Sequence, residues 1–126
     1  MGAMDIPALA PSIVTPFRVT VGITLVNAAI SLGFSIYEVV ESGWDSNTLY
    51  AAARSIVFLF IAIAVSLSRW PAGAVLAAGA LAAVQLLDTI IGVIRGDALY
   101  IVGPLVLAIL TGASALWLNS RIRQAR

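Results

Sequence analysis

The chain has no cysteine and no histidine among its 126 residues. The first absence removes disulfides, thiolate nucleophiles and thiolate metal sites. The second removes the commonest general base and the imidazole metal ligand. Lysine is missing as well, so all seven basic residues are arginine; together with abundant alanine, this bias goes with a GC-rich bacterial genome. Charge of either sign is scarce. Charged residues make up 10% of the chain against ~25% in soluble domains, 61% are hydrophobic, and mean hydropathy is +1.05. A net charge of +1, with no basic patch beyond the short tail, argues against nucleic acid as a partner. There is no phosphate-cradling glycine loop and no serine in a nucleophile-elbow context. Two carboxylates alone rarely hold a metal tightly, so neither metal nor cofactor is expected.

Apolar length is what the chain has in quantity. Four stretches, about 17–40, 50–68, 72–94 and 99–118, approach or exceed the ~20 residues that cross ~30 Å of hydrocarbon. The connections between them are short, which makes neighbouring helices antiparallel. The expected fold is an all-α membrane protein, an up-down-up-down four-transmembrane-helix bundle forming one domain over residues 1–126, with lipid covering much of its apolar surface. A β-barrel is excluded because strand-like alternation is absent and four segments cannot close one. The opening Met1-Gly2-Ala3-Met4 reads as a cloning scar ahead of a native start near Met4, and no cleavable signal peptide is evident.

Charge sets the orientation. One side holds Arg18, Arg69, Arg121, Arg123 and Arg126; the other holds Arg54 and Arg95 with Glu38, Glu41, Asp45, Asp88 and Asp97. Positive charge favours the cytoplasmic side, so both termini are expected inside a bacterial inner membrane, with the two acidic loops outside. Trp70 and Trp117 then anchor the inner interface, and Trp44, Tyr50 and Tyr100 the outer one. Small residues of the third helix, from Gly73 to Ala83, allow close backbone approach, so that helix is expected to be the most enclosed.

Polar residues inside the apolar stretches mark where function is to be sought, since a charge at bilayer depth costs ~2.5–3.5 kcal/mol on the gentlest scale. On the first helix Thr20, Thr24, Asn27, Ser31, Ser35 and Glu38 fall within roughly 80° of one face. On the third, Gln85, Asp88, Thr89, Gly92 and Arg95 share a face; on the fourth, Tyr100, Pro104, Thr111 and Ser114 do. Arg54 enters from the same side as Asp88 and should pair with it. Below Arg54, Phe58, Ile61 and Val65 are expected to face the core. Glu38, Asp88 and Arg54 are the candidate catalytic groups, and Asn27, Tyr50, Gln85, Tyr100 and Arg95 the candidate ligand-binding ones. Glu38 and Asp88 are expected to open onto one cavity lined also by Tyr50, Gln85 and Tyr100. Each carboxylate precedes a tyrosine by twelve residues (Glu38 and Tyr50, Asp88 and Tyr100), a faint repeat that would place the two in equivalent positions.

Arg54 in Ala53-Arg54-Ser55 and Asp88 in Leu87-Asp88-Thr89 resemble the pattern of DoxX-like small integral-membrane proteins. That resemblance covers the second to fourth helices and implies a compact four-helix bundle, many such proteins having no assigned activity. The chain also has the size of small multidrug-resistance transporters. Their acidic residue lies deep in the first helix, where this sequence has Asn27 and Ser31.

Three functional classes follow. The first is a bundle that binds a small lipophilic molecule and can transform it by acid–base chemistry, as an isomerase, hydrolase or cyclase. The second is a small oligomeric transporter, a homodimer among the options, whose path is the first-helix stripe. The third is a non-catalytic accessory subunit.

Overall fold

The computed structural model describes residues 9–125. Arg126 and the Met1–Met4 opening lie outside the described residues. Helix α1 is Pro11–Ser42, α2 Ser46–Ser68, α3 Pro71–Arg95 and α4 Ala98–Gln124. All four are long and apolar enough to cross a membrane. The chain is an all-α four-helix membrane bundle.

The ends are set by residues whose backbone chemistry is visible in the sequence. Pro11 opens α1 at a position where the missing N–H is an orphan anyway. Gly43, at φ +85°, closes it, its N–H bonded to the Val39 carbonyl. Asp45 caps α2, its Oδ1 accepting from the Thr48 N–H at 2.9 Å. The two-residue link to α3 turns on Arg69, which adopts a left-handed φ of +51°. Gly96, at φ +69°, closes α3, and Asp97 caps α4 by accepting from the Leu99 N–H at 3.0 Å.

Three of the expected boundaries are corrected outward. Helix α1 starts at Pro11 rather than near 17, because Pro16 falls early enough in the helix to forfeit one hydrogen bond without breaking it. Helix α2 starts at Ser46 rather than 50, its polar first turn held by the Asp45 cap. Helix α4 runs to Gln124 rather than 118, with Arg121 and Arg123 in a last turn whose dipole favours cations.

Among the described residues every pair of helices is in contact except α2 and α4. Helices α1 and α3 therefore form the short diagonal, with α2 and α4 on either side. The core at the end where α1 begins is Phe17, Val21, Ala74 and Leu118. Further along, small residues take over: Ala28, Ala77, Ala78, Ala82, Ala108 and Ala115 are buried. Their size lets the helix backbones close on one another, as expected where lipid supplies no hydrophobic drive for association. The closest approach is at Gly92, where a Cβ would overlap the Tyr100 carbonyl.

The inward face of α2 is also corrected. Its buried residues are Thr48, Ser55 and Ala62, while Ile61 is exposed and Phe58 half-buried; Val65 does pack against the core, as expected. Packing selects the small side chains for the helix contact and turns the large ones toward lipid. That rotation carries Arg54 to the edge of the contact face.

Candidate functional site

The polar face of α1 lies in the interior and is bonded across the bundle. The Thr20 hydroxyl donates to the Ser114 carbonyl at 3.0 Å. Asn27 Nδ2 donates to Thr111 Oγ1 at 2.8 Å, and Gln85 Nε2 donates to Asn27 Oδ1 at 2.6 Å and Ser31 Oγ at 2.8 Å. Ser35 and Ser55 share a hydroxyl contact of 3.0 Å. No buried side-chain nitrogen or oxygen among the described residues lacks a partner. Asn27 and Gln85 thus spend their amides on each other and on neighbouring helices. Their place is a closed network joining α1, α3 and α4, and not the wall of an open pocket.

Toward the acidic end two ion pairs form. Arg54 Nη2 lies 3.4 Å from Asp88 Oδ2, joining α2 to α3, with side chains 45% and 26% exposed. The pair expected from the sequence is present, but it sits at the bundle's edge. Arg54 is eight residues into α2, about 12 Å along its axis at ~1.5 Å per residue. The second pair brings Arg95 Nη1 to 3.7 Å from Glu38 Oε1. The Tyr100 hydroxyl donates to the same Glu38 oxygen at 2.5 Å, and the Arg95 guanidinium lies 4.3 Å from the Tyr100 ring centroid. A cation over an aromatic face, with a carboxylate that accepts from the phenol and pairs with the cation, is a self-supporting cluster.

The expected equivalence of Glu38 and Asp88 is corrected by the register of α1 on α3. Those helices run parallel, with Asn27 and Ser31 level with Gln85, and Glu38 level with Arg95. A fifty-residue repeat would have set Glu38 level with Asp88. Asp88 instead stands seven residues nearer the bundle's middle, about 10 Å at ~1.5 Å per residue. The tyrosines diverge too: Tyr100 is bonded to Glu38, whereas Tyr50 is 75% exposed.

Neither of the two best-formed cavities among the described residues is lined by Glu38, Asp88, Tyr50, Gln85 or Tyr100. An open groove of about 460 Å³ runs between α1 and α4, lined by Ile30, Gly33, Phe34, Tyr37 and Leu99. Its floor exists because Gly33 has no side chain: a Cβ there would meet nothing within 4 Å. Two of its lining residues, Tyr37 and Leu99, directly precede Glu38 and Tyr100 in the chain. Phe34 lies one turn below Glu38 on the same side of α1. The groove residues repeat at helical spacing (30, 33, 34, 37), but in sequence that stripe is indistinguishable from any lipid-facing surface.

No group of three or more potential metal ligands is found among the described residues. The arrangement is that of a membrane bundle with a closed polar core, two ion pairs toward its acidic end and an apolar lateral groove. No protein-family model, curated protein or solved structure matches the chain.

Proposed function

We propose that this protein takes a small amphipathic lipophile from the bilayer. Its apolar body lies in the α1/α4 groove and its polar end meets Arg95, Tyr100 and Glu38. One observation carries the reading: an apolar groove of about 460 Å³ whose lining residues Tyr37 and Leu99 are chain neighbours of Glu38 and Tyr100 in the only Arg–Tyr–Glu cluster among the described residues. Apolar walls with a few convergent polar groups are the usual form of a small-molecule site. Arg95 keeps donors unused by Glu38, and Glu38 retains acceptor capacity beyond Tyr100.

A second reading adds chemistry to binding. A phenol donating to a carboxylate at 2.5 Å can pass a proton to or from a bound molecule, which suits an isomerase, hydrolase or cyclase. The transporter reading draws less support. The polar stripe that would line its path is bonded within the chain to Thr111, Ser114 and Gln85. The same proposal places the protein in a bacterial inner membrane with cytoplasmic termini, on the segregation of its arginines. Kinship with DoxX-like proteins also belongs to the proposal and rests on Arg54 and Asp88. A second copy of the chain is not required.

The two carboxylates separate these readings. In bilayer discs, binding of a fluorescent long-chain lipophile should weaken about tenfold in Glu38→Gln, the loss of one charge-assisted contact of roughly 1.5 kcal/mol. Asp88→Asn should leave that affinity within about twofold, because Asp88 pairs with Arg54 away from the groove. Equal losses in both variants would restore a shared carboxylate site. No loss in either would leave the accessory-subunit reading.

A further inference from the structure

The end opposite the candidate site carries a second feature. Arg18 on α1, Arg69 between α2 and α3, and Arg121 and Arg123 on α4 are all exposed there. The described acids, Glu38, Glu41, Asp45, Asp88 and Asp97, all lie at or toward the other end, and both ion pairs form there. The four guanidiniums thus have no salt-bridge partner among the described residues.

They share one end of the bundle, spread over about 12 Å along its axis at ~1.5 Å per residue. The α1–α4 contacts pair Thr20 with Ser114 and Asn27 with Thr111, so Arg18 comes level with the turn that carries Trp117. The Ser35–Ser55 contact sets α1 against α2 and brings Arg69 level with Val21. Trp117 is one turn before Arg121 on the same face of α4, and Trp70 follows Arg69. The Trp70 ring lies against Gly73, where a Cβ would overlap it. Indole rings mark the headgroup level of a bilayer, so the arginines just beyond them meet lipid phosphates.

Helix dipoles offset part of this charge without pairing it. Arg121 and Arg123 gain from the C-terminal dipole of α4. Arg69, the C-cap residue of α2, lies at that helix's C-terminal dipole as well, but it also precedes the start of α3, whose first turn carries no acid. Arg18 likewise has no acid in the first turn of its helix.

We infer that this end is a binding surface for anionic phospholipid, with Arg18, Arg69, Arg121 and Arg123 holding headgroup phosphates between the Trp70 and Trp117 anchors. Juxtamembrane basic residues each contribute roughly fivefold to such binding near a charged surface. The inference is independent of the groove.

The test measures the lipid retained by the full chain in discs of phosphatidylcholine mixed with spin-labelled phosphatidylglycerol. The parent should hold phosphatidylglycerol in preference to labelled phosphatidylcholine, and added salt should erode the preference. Arg69→Gln and Arg121→Gln should each reduce it about fivefold, whereas the corresponding Lys variants should keep most of it. The single variants and the salt titration of the parent decide the matter even if a quadruple variant fails to insert. No preference in the parent, or Gln variants equal to the parent, would overturn the inference. So would displacement of the labelled lipid by inorganic phosphate beyond that caused by sodium chloride at equal ionic strength, which would mark a site for a free anion.

Discussion

Replacing Gly33 by Leu should remove ligand binding while leaving the bundle as stable as the parent or slightly more so. These two effects normally travel together in a membrane protein, and their separation is the signature of a groove that does no structural work. A Cβ at Gly33 meets nothing within 4 Å, so the new side chain disturbs no helix contact. It projects into the space lined by Ile30, Phe34, Tyr37 and Leu99. Filling that space costs a bound lipophile roughly 1–3 kcal/mol of overpacking, at least about fivefold in affinity. The helix itself gains, since leucine is favoured over glycine in a helix interior by about 0.8 kcal/mol. Titration with a fluorescent lipophile and unfolding in mixed micelles measure the two effects. A variant that binds as the parent does would move the site elsewhere.

Asn27→Ala should show the opposite pattern, with the largest loss of stability of any single polar substitution in α1. Asn27 is fully buried and takes part in three side-chain hydrogen bonds, with Thr111 at 2.8 Å, Gln85 at 2.6 Å and Ser31 at 3.4 Å. Interhelical bonds in membranes average ~0.6 kcal/mol and reach ~1.7. Truncation also leaves a void between three helices, with the Gln85 amide facing it. About 2–4 kcal/mol is expected, read from the denaturing detergent fraction at half-unfolding. Thr111→Val, which removes a single partner, should cost about 1 kcal/mol. An Asn27→Ala variant within about 0.5 kcal/mol of the parent would show that the network contributes little.

The fold was legible because its signals are redundant. Four apolar runs, Gly43 and Gly96 at helix ends, and Asp45 and Asp97 as caps all point to the same bundle. The polar face of α1 was legible for the same reason: a period of 3.6 over six polar residues has few other meanings. The site was less so. Arg54 and Asp88 drew attention as charges in apolar segments, and they do pair, yet at the edge of the bundle. The partner of Glu38 depended on the register of α1 against α3, which no spacing within one helix reveals. Ser55, a lone serine on α2, carries no signal of its contact until Ser35 is placed against it. The groove was invisible altogether, since Ile30, Phe34 and Leu99 read as ordinary lipid-facing residues.

Photo-cross-linking in a native-like bilayer tests the groove most directly. A diazirine-bearing fatty acid, activated in discs and mapped by peptide mass spectrometry, should label Phe34, Tyr37 and Leu99 well above the exposed residues Phe60 and Leu67 of α2, and excess unlabelled fatty acid should compete that labelling away. Labelling spread evenly over all lipid-facing residues, and indifferent to competitor, would contradict the account.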